Sequence, residues 1–196
     1  MSVNNLVKID KRDCAIIVID MQNDFIAMGA PIECPGGRDI IPVLSKLLNF
    51  ARTKNIPVIY TQEMHRIQKV DFGMELEREE PEHCLEGSIG VQLIDALSPE
   101  PGDYVIPKRR YSAFYCTDLE ILLKGLKKNT LIITGAATNV CVYATCLDAQ
   151  QRDYRVVAVA DCVAGTDRDL HKAFLRNIEY VLGDVATAEE LQILFA

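Results

Sequence analysis

An acid, an amine and a thiol stand at the ends of three separate apolar runs in this sequence. Asp20 closes the run Ala15-Ile-Ile-Val-Ile, Lys108 closes Asp103-Tyr-Val-Ile-Pro, and Cys141 ends the small-residue segment Gly135-Ala-Ala-Thr-Asn-Val-Cys. A thiol attacks a carbonyl as the thiolate, so it needs a proton acceptor and a field that stabilises its charge. Asp20 can take the proton. Lys108 can stabilise the thiolate and hold the carboxylate in place. Cys141 falls in the first turn of an expected helix, which Thr138 or Asn139 can cap. The unsatisfied N–H groups and the dipole there favour thiolate, and the same amides can hold an oxyanion. The trio is chemically complete for amide hydrolysis. Each member alone also has a bland reading: Asp is a common turn residue, a strand-end Lys is usually solvated, and a helical Cys is often a small buried hydrophobe.

The elements that must bring these groups together follow from hydrophobic patterning. Six short runs, most of them rich in Val and Ile with little alternation, suit strands buried on both faces of a parallel sheet. They start at Ala15, Pro57, Asp103, Thr130, Arg155 and, more weakly, Tyr180. Helical spacing appears over Arg38 to Lys54, Asn139 to Arg152, Asp167 to Ile178 and Thr187 to Leu194. Thr117-x-x-Glu120 and Thr187-x-x-Glu190 have the form of capping boxes, the first opening a helix through Leu126. Strands alternating with helices predict a doubly wound, three-layer α/β domain with right-handed crossovers. Ligands of such sheets bind beyond the carboxyl ends of the strands, the edge to which Asp20, Gln62, Glu63, Lys108, Cys141 and Asp161 are assigned. The segment Gln62 to Gly90 has no strong periodicity. Its length and its Glu and His content read as a wall of the site or as a solvated acidic excursion.

The 196 residues suggest one domain, and a formal charge of -7 disfavours non-specific binding to nucleic acid. No apolar run is long enough to span a bilayer, and Met1 to Cys14 lacks the pattern of a signal peptide. Seven cysteines without repeating spacing indicate a reducing, cytoplasmic setting with free thiols.

Three motifs, Ile19-Asp-Met-Gln-Asn-Asp-Phe25, Pro107-Lys-Arg-Arg-Tyr-Ser-Ala-Phe114 and Gly135-Ala-Ala-Thr-Asn-Val-Cys-Val142, resemble the isochorismatase-like cysteine hydrolase family in type, order and spacing. The family contains nicotinamidases, N-carbamoylsarcosine amidases, and ureidoacrylate and biuret hydrolases. The resemblance implies a six-stranded, mostly parallel sheet in the order 3-2-1-4-5-6 and a homo-oligomer. It implies Asp20, Lys108 and Cys141 as a catalytic triad, a cis peptide between Ala136 and Ala137, and an oxyanion hole from the Ala137 and Cys141 amides. True isochorismatases lack a cysteine at the nucleophile position, so Cys141 places the chain on the amidase side, with a small amide or ureido substrate.

In nicotinamidases of the family an Asp-x-His pair and a later His hold a metal. The matching positions here are Glu63-Met-His65 and His83, which could still form a three-ligand divalent site. The alternative is that both histidines fasten the loop by hydrogen bonds. No step of the thiol chemistry needs a metal, so no cofactor is expected to be required. Phe25 and Phe114 could wall an apolar pocket with Tyr111, and Gln22, Gln62 and Arg109 could hydrogen-bond an amide or carboxylate. Two other activities stay open: a nicotinamidase with a modified metal site, and a non-catalytic binding or redox module.

Overall fold

A computed structural model describes residues 9–78 and 80–196. The sequence readings made on 1–8 and on Glu79 lie outside the described residues. The core is a six-stranded sheet in the order β3-β2-β1-β4-β5-β6, with every pairing parallel. The strands are β1 (Cys14–Ile19), β2 (Val58–Glu63), β3 (Tyr104–Lys108), β4 (Thr130–Ala136), β5 (Arg155–Ala164) and β6 (Asp184–Ala186). Every residue of β1 and β4 is buried. These two strands lie side by side at the centre, where helices cover both faces of a parallel sheet.

The pleat sends alternate side chains to opposite faces. Ile16 and Val18 join the core beneath α2 (Ile41–Thr53) and α6 (Ala188–Leu194). Ala15, Ile17 and Ile19 join the other, beneath α3 (Leu119–Gly125) and α4 (Tyr143–Gln150). A short α1 (Asn23–Ile26) follows β1, and α5 (Arg168–Asn177) follows β5.

Local chemistry departs from the sequence reading in several places. Thr187 and Glu190 do form a reciprocal capping box on α6. The Thr117-x-x-Glu120 box does not form. Asp118 is the N-cap of α3, and Thr117 Oγ1 instead donates to the Ala113 carbonyl at 2.5 Å. The helix expected from Asn139 begins only at Tyr143, after a π-turn at Thr138–Val142 whose N-cap, Ala137, supplies no side-chain bond. Asn139 and Thr138 are drawn away toward α5 and the turn before it, Asn139 to Thr166 and Thr138 to His171 Nδ1 at 2.9 Å. Residues Ile178–Leu182, placed by pattern partly in the sixth strand, form a second π-turn ahead of the short β6. Asp161 lies inside a longer β5 and caps α6 through the Ala188 N–H, so it does not join the site.

Candidate active site

The strand ends bring the acid, the amine and the thiol to one point. Lys108 Nζ lies 2.8 Å from Asp20 Oδ2 and 3.6 Å from Cys141 Sγ. The sulfur and carboxylate oxygens of Asp20 and Glu63 lie within 4.8 Å of one another. All four side chains are buried.

The backbone is shaped for this meeting. Asp20 has φ 47°, in the left-handed region that only a well-supported non-glycine residue keeps. Its support is Thr61 on β2, whose hydroxyl donates to Asp20 Oδ1 at 2.7 Å and accepts the Asp20 N–H at 3.1 Å. At the end of β4, Gly135 has φ 101°, and a Cβ there would stand 2.1 Å from the Ile19 carbonyl oxygen. Only glycine lets β4 pass this close beneath the Asp20 turn. The Ala136–Ala137 peptide is cis, and the π-turn carrying Cys141 follows at once.

Glu63 is the residue whose part the sequence did not disclose. It entered the sequence reading as a metal candidate, yet its Oε2 stands 2.6 Å from Lys108 Nζ. Its other oxygen, Oε1, meets His83 Nε2 at 3.0 Å. A signal was available: Glu63 closes β2 as Lys108 closes β3, and the two are paired in register. Thr61 was missed in the same way.

These contacts set the ionisation of the site. Burial alone would lower the Lys108 ammonium, but Asp20, Cys141 and Glu63 carry it well above its ordinary value, so it is charged. Burial alone would raise Glu63, but Lys108, then His65 and His83, hold it well below the usual carboxylate range. Asp20 is pushed upward by burial, against the pull of Lys108. Burial also drives the Cys141 thiol well above its ordinary value, with Asp20 and Glu63 adding to the effect and Lys108 opposing it. Burial thus favours the protonated Cys141 thiol over the thiolate. The expectation of a helix terminus favouring thiolate gives way, because the π-turn displaces the helix start and desolvation dominates.

A cavity of about 140 Å³ opens onto this cluster, lined by Asp20, Glu63, Cys141, Ala137, Phe25 and Tyr111 among others. His83 and Glu80 of the long Gln62–Gly90 segment line it too, so that segment is a wall of the site. The remaining side chains expected to hold substrate are committed to the protein itself. Gln22 is fully buried, donates to the Glu63 and Val91 carbonyls at 2.8 Å each and accepts the Glu63 N–H at 2.7 Å. Gln62 donates to the same Val91 carbonyl at 2.8 Å. Arg109 is ion-paired to Asp71 at 2.8 Å and Glu86 at 3.2 Å. Phe114 packs in the core against Tyr154 and carries the Arg152 guanidinium over its ring. None of these four lines the cavity.

His65 and His83 share the far side of Glu63. His83 is fastened at both nitrogens, to Glu63 and to the Pro81 carbonyl. His65 is fully buried and stacked on Phe72 at 3.8 Å; among the described residues neither ring nitrogen has a well-formed hydrogen bond, although Nε2 lies 3.5 Å from Glu63 and 3.7 Å from Glu75 and Nδ1 3.9 Å from Asp71. Ligand atoms of Glu63, His65 and His83 lie within 4.8 Å of one another. These nitrogens and this donor set fit a divalent ion with open coordination positions.

The fold is a six-stranded parallel α/β sheet that carries a buried Asp–Lys–Cys cluster at its carboxyl edge. The isochorismatase domain family matches residues 14–190, and the chain belongs to that family. It is 34% identical over 209 residues to the ureidoacrylate amidohydrolase RutB of Methylobacterium radiotolerans, covering 93% of this chain and 81% of that one. It is also 34% identical, covering 87% of this chain and 90% of the other, to an Arabidopsis thaliana protein described as a "probable inactive nicotinamidase". Among solved structures, a cysteine hydrolase from Pseudomonas syringae pv. phaseolicola superposes with a TM-score of 0.89 at 30% identity, covering 95% of this chain and 94% of that chain. Among the described residues no helix is long and apolar enough to cross a membrane.

Proposed function

We propose that the protein hydrolyses the C–N bond of a small amide or ureido compound through a thioester on Cys141. The observation that carries this is Lys108 Nζ, 2.8 Å from the Asp20 carboxylate and 3.6 Å from the Cys141 sulfur, with Asp20 and Cys141 both lining a small cavity. The 34% identity to a ureidoacrylate amidohydrolase supports the substrate class.

Asp20 removes the proton from Cys141, and the thiolate attacks the carbonyl carbon. Because burial raises Asp20, it is a stronger base than an exposed carboxylate. Lys108 stabilises the thiolate as it forms. The Ala137 and Cys141 amides hold the oxyanion. Protonated Asp20 then gives its proton to the departing ammonia or amine, and the tetrahedral centre collapses to the thioester. A water molecule, deprotonated by Asp20, attacks the thioester; the acid or carbamate leaves and the thiol is restored. Glu63 serves as the second counter-ion of Lys108, keeping the ammonium aimed between Asp20 and Cys141.

No step here needs a cofactor. A divalent ion held by Glu63, His65 and His83 would supply a Lewis-acid contact for a substrate lone pair at that wall. The His65 nitrogens, which lack a well-formed hydrogen bond, favour this as a second reading, a nicotinamidase-type activity requiring metal and a pyridine carboxamide. The seven free cysteines agree with a reducing, cytoplasmic location, and we expect copies of the chain to associate.

The test is ammonia or amine release from a panel of nicotinamide, biuret, N-carbamoylsarcosine and ureidoacrylate, beside Cys141→Ala. Release that disappears in the variant supports the reading. Release that persists at full rate in Cys141→Ala refutes it.

A further inference from the structure

The hydrolysis scheme leaves one buried contact beside the nucleophile unused. Thr138 lies in the π-turn three residues before Cys141. It is fully buried, and its hydroxyl meets His171 Nδ1 at 2.9 Å. That hydroxyl has no other hydrogen-bond partner among the described residues, and a buried hydroxyl proton is costly to leave unpaired. Thr138 therefore donates, Nδ1 accepts, and the ring proton of His171 lies on Nε2. Burial, then Lys172, holds the imidazole below its ordinary value, which keeps it neutral and able to accept near neutral pH.

His171 is itself held in place. It lies on α5, one turn in from the N-cap Asp167. The Asp167 carboxylate accepts the Asp169 and Leu170 N–H groups, and its carbonyl accepts the His171 N–H at 3.0 Å. Gly165, just past β5, lets the helix come close: a Cβ there would stand 2.7 Å from His171 Cβ. No residue of α5 is buried, so apolar packing does little to fix it. Its side chains reach instead to the nucleophile's turn and to Tyr143, two residues after Cys141. Phe174 meets the Tyr143 ring edge-on with centroids 4.8 Å apart, and Asn177 donates to the Tyr143 hydroxyl at 2.7 Å. Asn139 and Thr166, joined by two hydrogen bonds, close the same seam just ahead of the helix.

We propose that His171 is a positioning residue: by accepting the Thr138 hydroxyl it seats the turn that carries the Cys141 thiol, with the Ala137 amide at its start. Sulfur, base and oxyanion donor then keep their mutual geometry through the reaction, where small misplacements cost rate. Neither Thr138 nor His171 lines the cavity, so neither touches substrate. The effect on turnover rests on the hydrolase reading above; the seating of the turn does not.

Four variants test this on whichever amide of the panel above the wild type consumes: His171→Leu, His171→Asn, Thr138→Val, and the double variant His171→Leu with Thr138→Val. In His171→Asn the side-chain oxygen can take the place of Nδ1; His171→Leu has no acceptor. We expect kcat to fall roughly tenfold in His171→Leu and in Thr138→Val. It falls no further in the double variant, because all three lack the same bond, and His171→Asn recovers most of the loss. Calorimetric affinity for the same amide, measured on a Cys141→Ala background, is unchanged by His171→Leu. Hydrogen exchange over residues 138–142 speeds up roughly tenfold in His171→Leu and not in His171→Asn, while β4 is unaffected. If exchange follows this pattern and the wild type hydrolyses no amide, the hydrolase reading fails and the seating stands. The proposal is overturned by unchanged exchange in His171→Leu, or by an active enzyme whose kcat that variant leaves unmoved. Additive losses in the double variant, lost affinity in place of lost kcat, or a His171→Asn as slow as His171→Leu overturn it equally.

Discussion

Glu63 and Lys108 face each other at the ends of neighbouring strands, 2.6 Å apart and almost wholly out of water. Asp20 approaches the same ammonium from the other side at 2.8 Å. A buried cation held between two carboxylates is costly to break, because each survivor is left as an uncompensated buried charge. Lys108→Met is therefore expected to destabilise the fold by about 3–5 kcal/mol as well as abolish turnover. Denaturant titration measures the first effect. The double variant Lys108→Met with Glu63→Gln is expected to recover part of the stability and none of the activity. Full stability in Lys108→Met would contradict the charge network.

With Asp20 as the proposed base, the pH dependence of activity is expected to follow its carboxyl. It acts as a base only when ionised, and burial sets its folded value above the ordinary 3.8. Activity is expected to fall as pH drops through that raised value, so the acid limb of kcat/KM lies above the range of an exposed aspartate. Asp20→Asn is expected to remove the activity itself. For stability the two acids act in opposite senses. Glu63, held below the ordinary 4.5, stabilises the fold above that value, and this is lost as pH falls through its folded value. Raised Asp20 contributes at low pH and loses that contribution as pH rises.

Metal removal separates the two readings of the Glu63–His65–His83 group. Dialysis against a chelator is expected to leave amide hydrolysis unchanged, since thiol, base and ammonium are all protein groups. Metal analysis before and after, with activity on the same sample, checks this. Loss of activity restored by a divalent cation would favour the metal-dependent reading.

Gln22 is expected to matter for stability rather than for substrate affinity. Its amide joins the Glu63 backbone to the Val91 carbonyl, holding β2 and the loop wall together. Gln22→Leu leaves those buried backbone groups unsatisfied, at a cost of about 1–3 kcal/mol for each. Thermal unfolding reads the loss. A changed KM at unaltered stability would restore Gln22 to the substrate.

The parts of the site that were legible in the sequence are those fixed by strand ends. Asp20, Lys108 and Cys141 each terminate or follow a buried apolar run, and parallel topology sends such ends to one edge. Side chains whose partners lie in an aperiodic loop were not legible. Gln22 and Gln62 look like ligand-binding amides until the Val91 carbonyl is placed beside them. Arg109 looks like a carboxylate receptor until Asp71 and Glu86 claim it. The π-turn at Thr138–Val142 escaped for a related reason: its pattern is helical, and the pull on Thr138 and Asn139 comes from residues 27 to 33 positions away.

The most direct test of the account is mass spectrometry of enzyme acid-quenched during turnover of any amide it consumes, followed by peptide mapping. The account requires an added mass equal to the acyl group on the peptide containing Cys141, abolished in Cys141→Ala and absent without substrate. Turnover with no acyl group on Cys141 at any quench time, in a protein whose Cys141→Ala variant still releases ammonia, would contradict it.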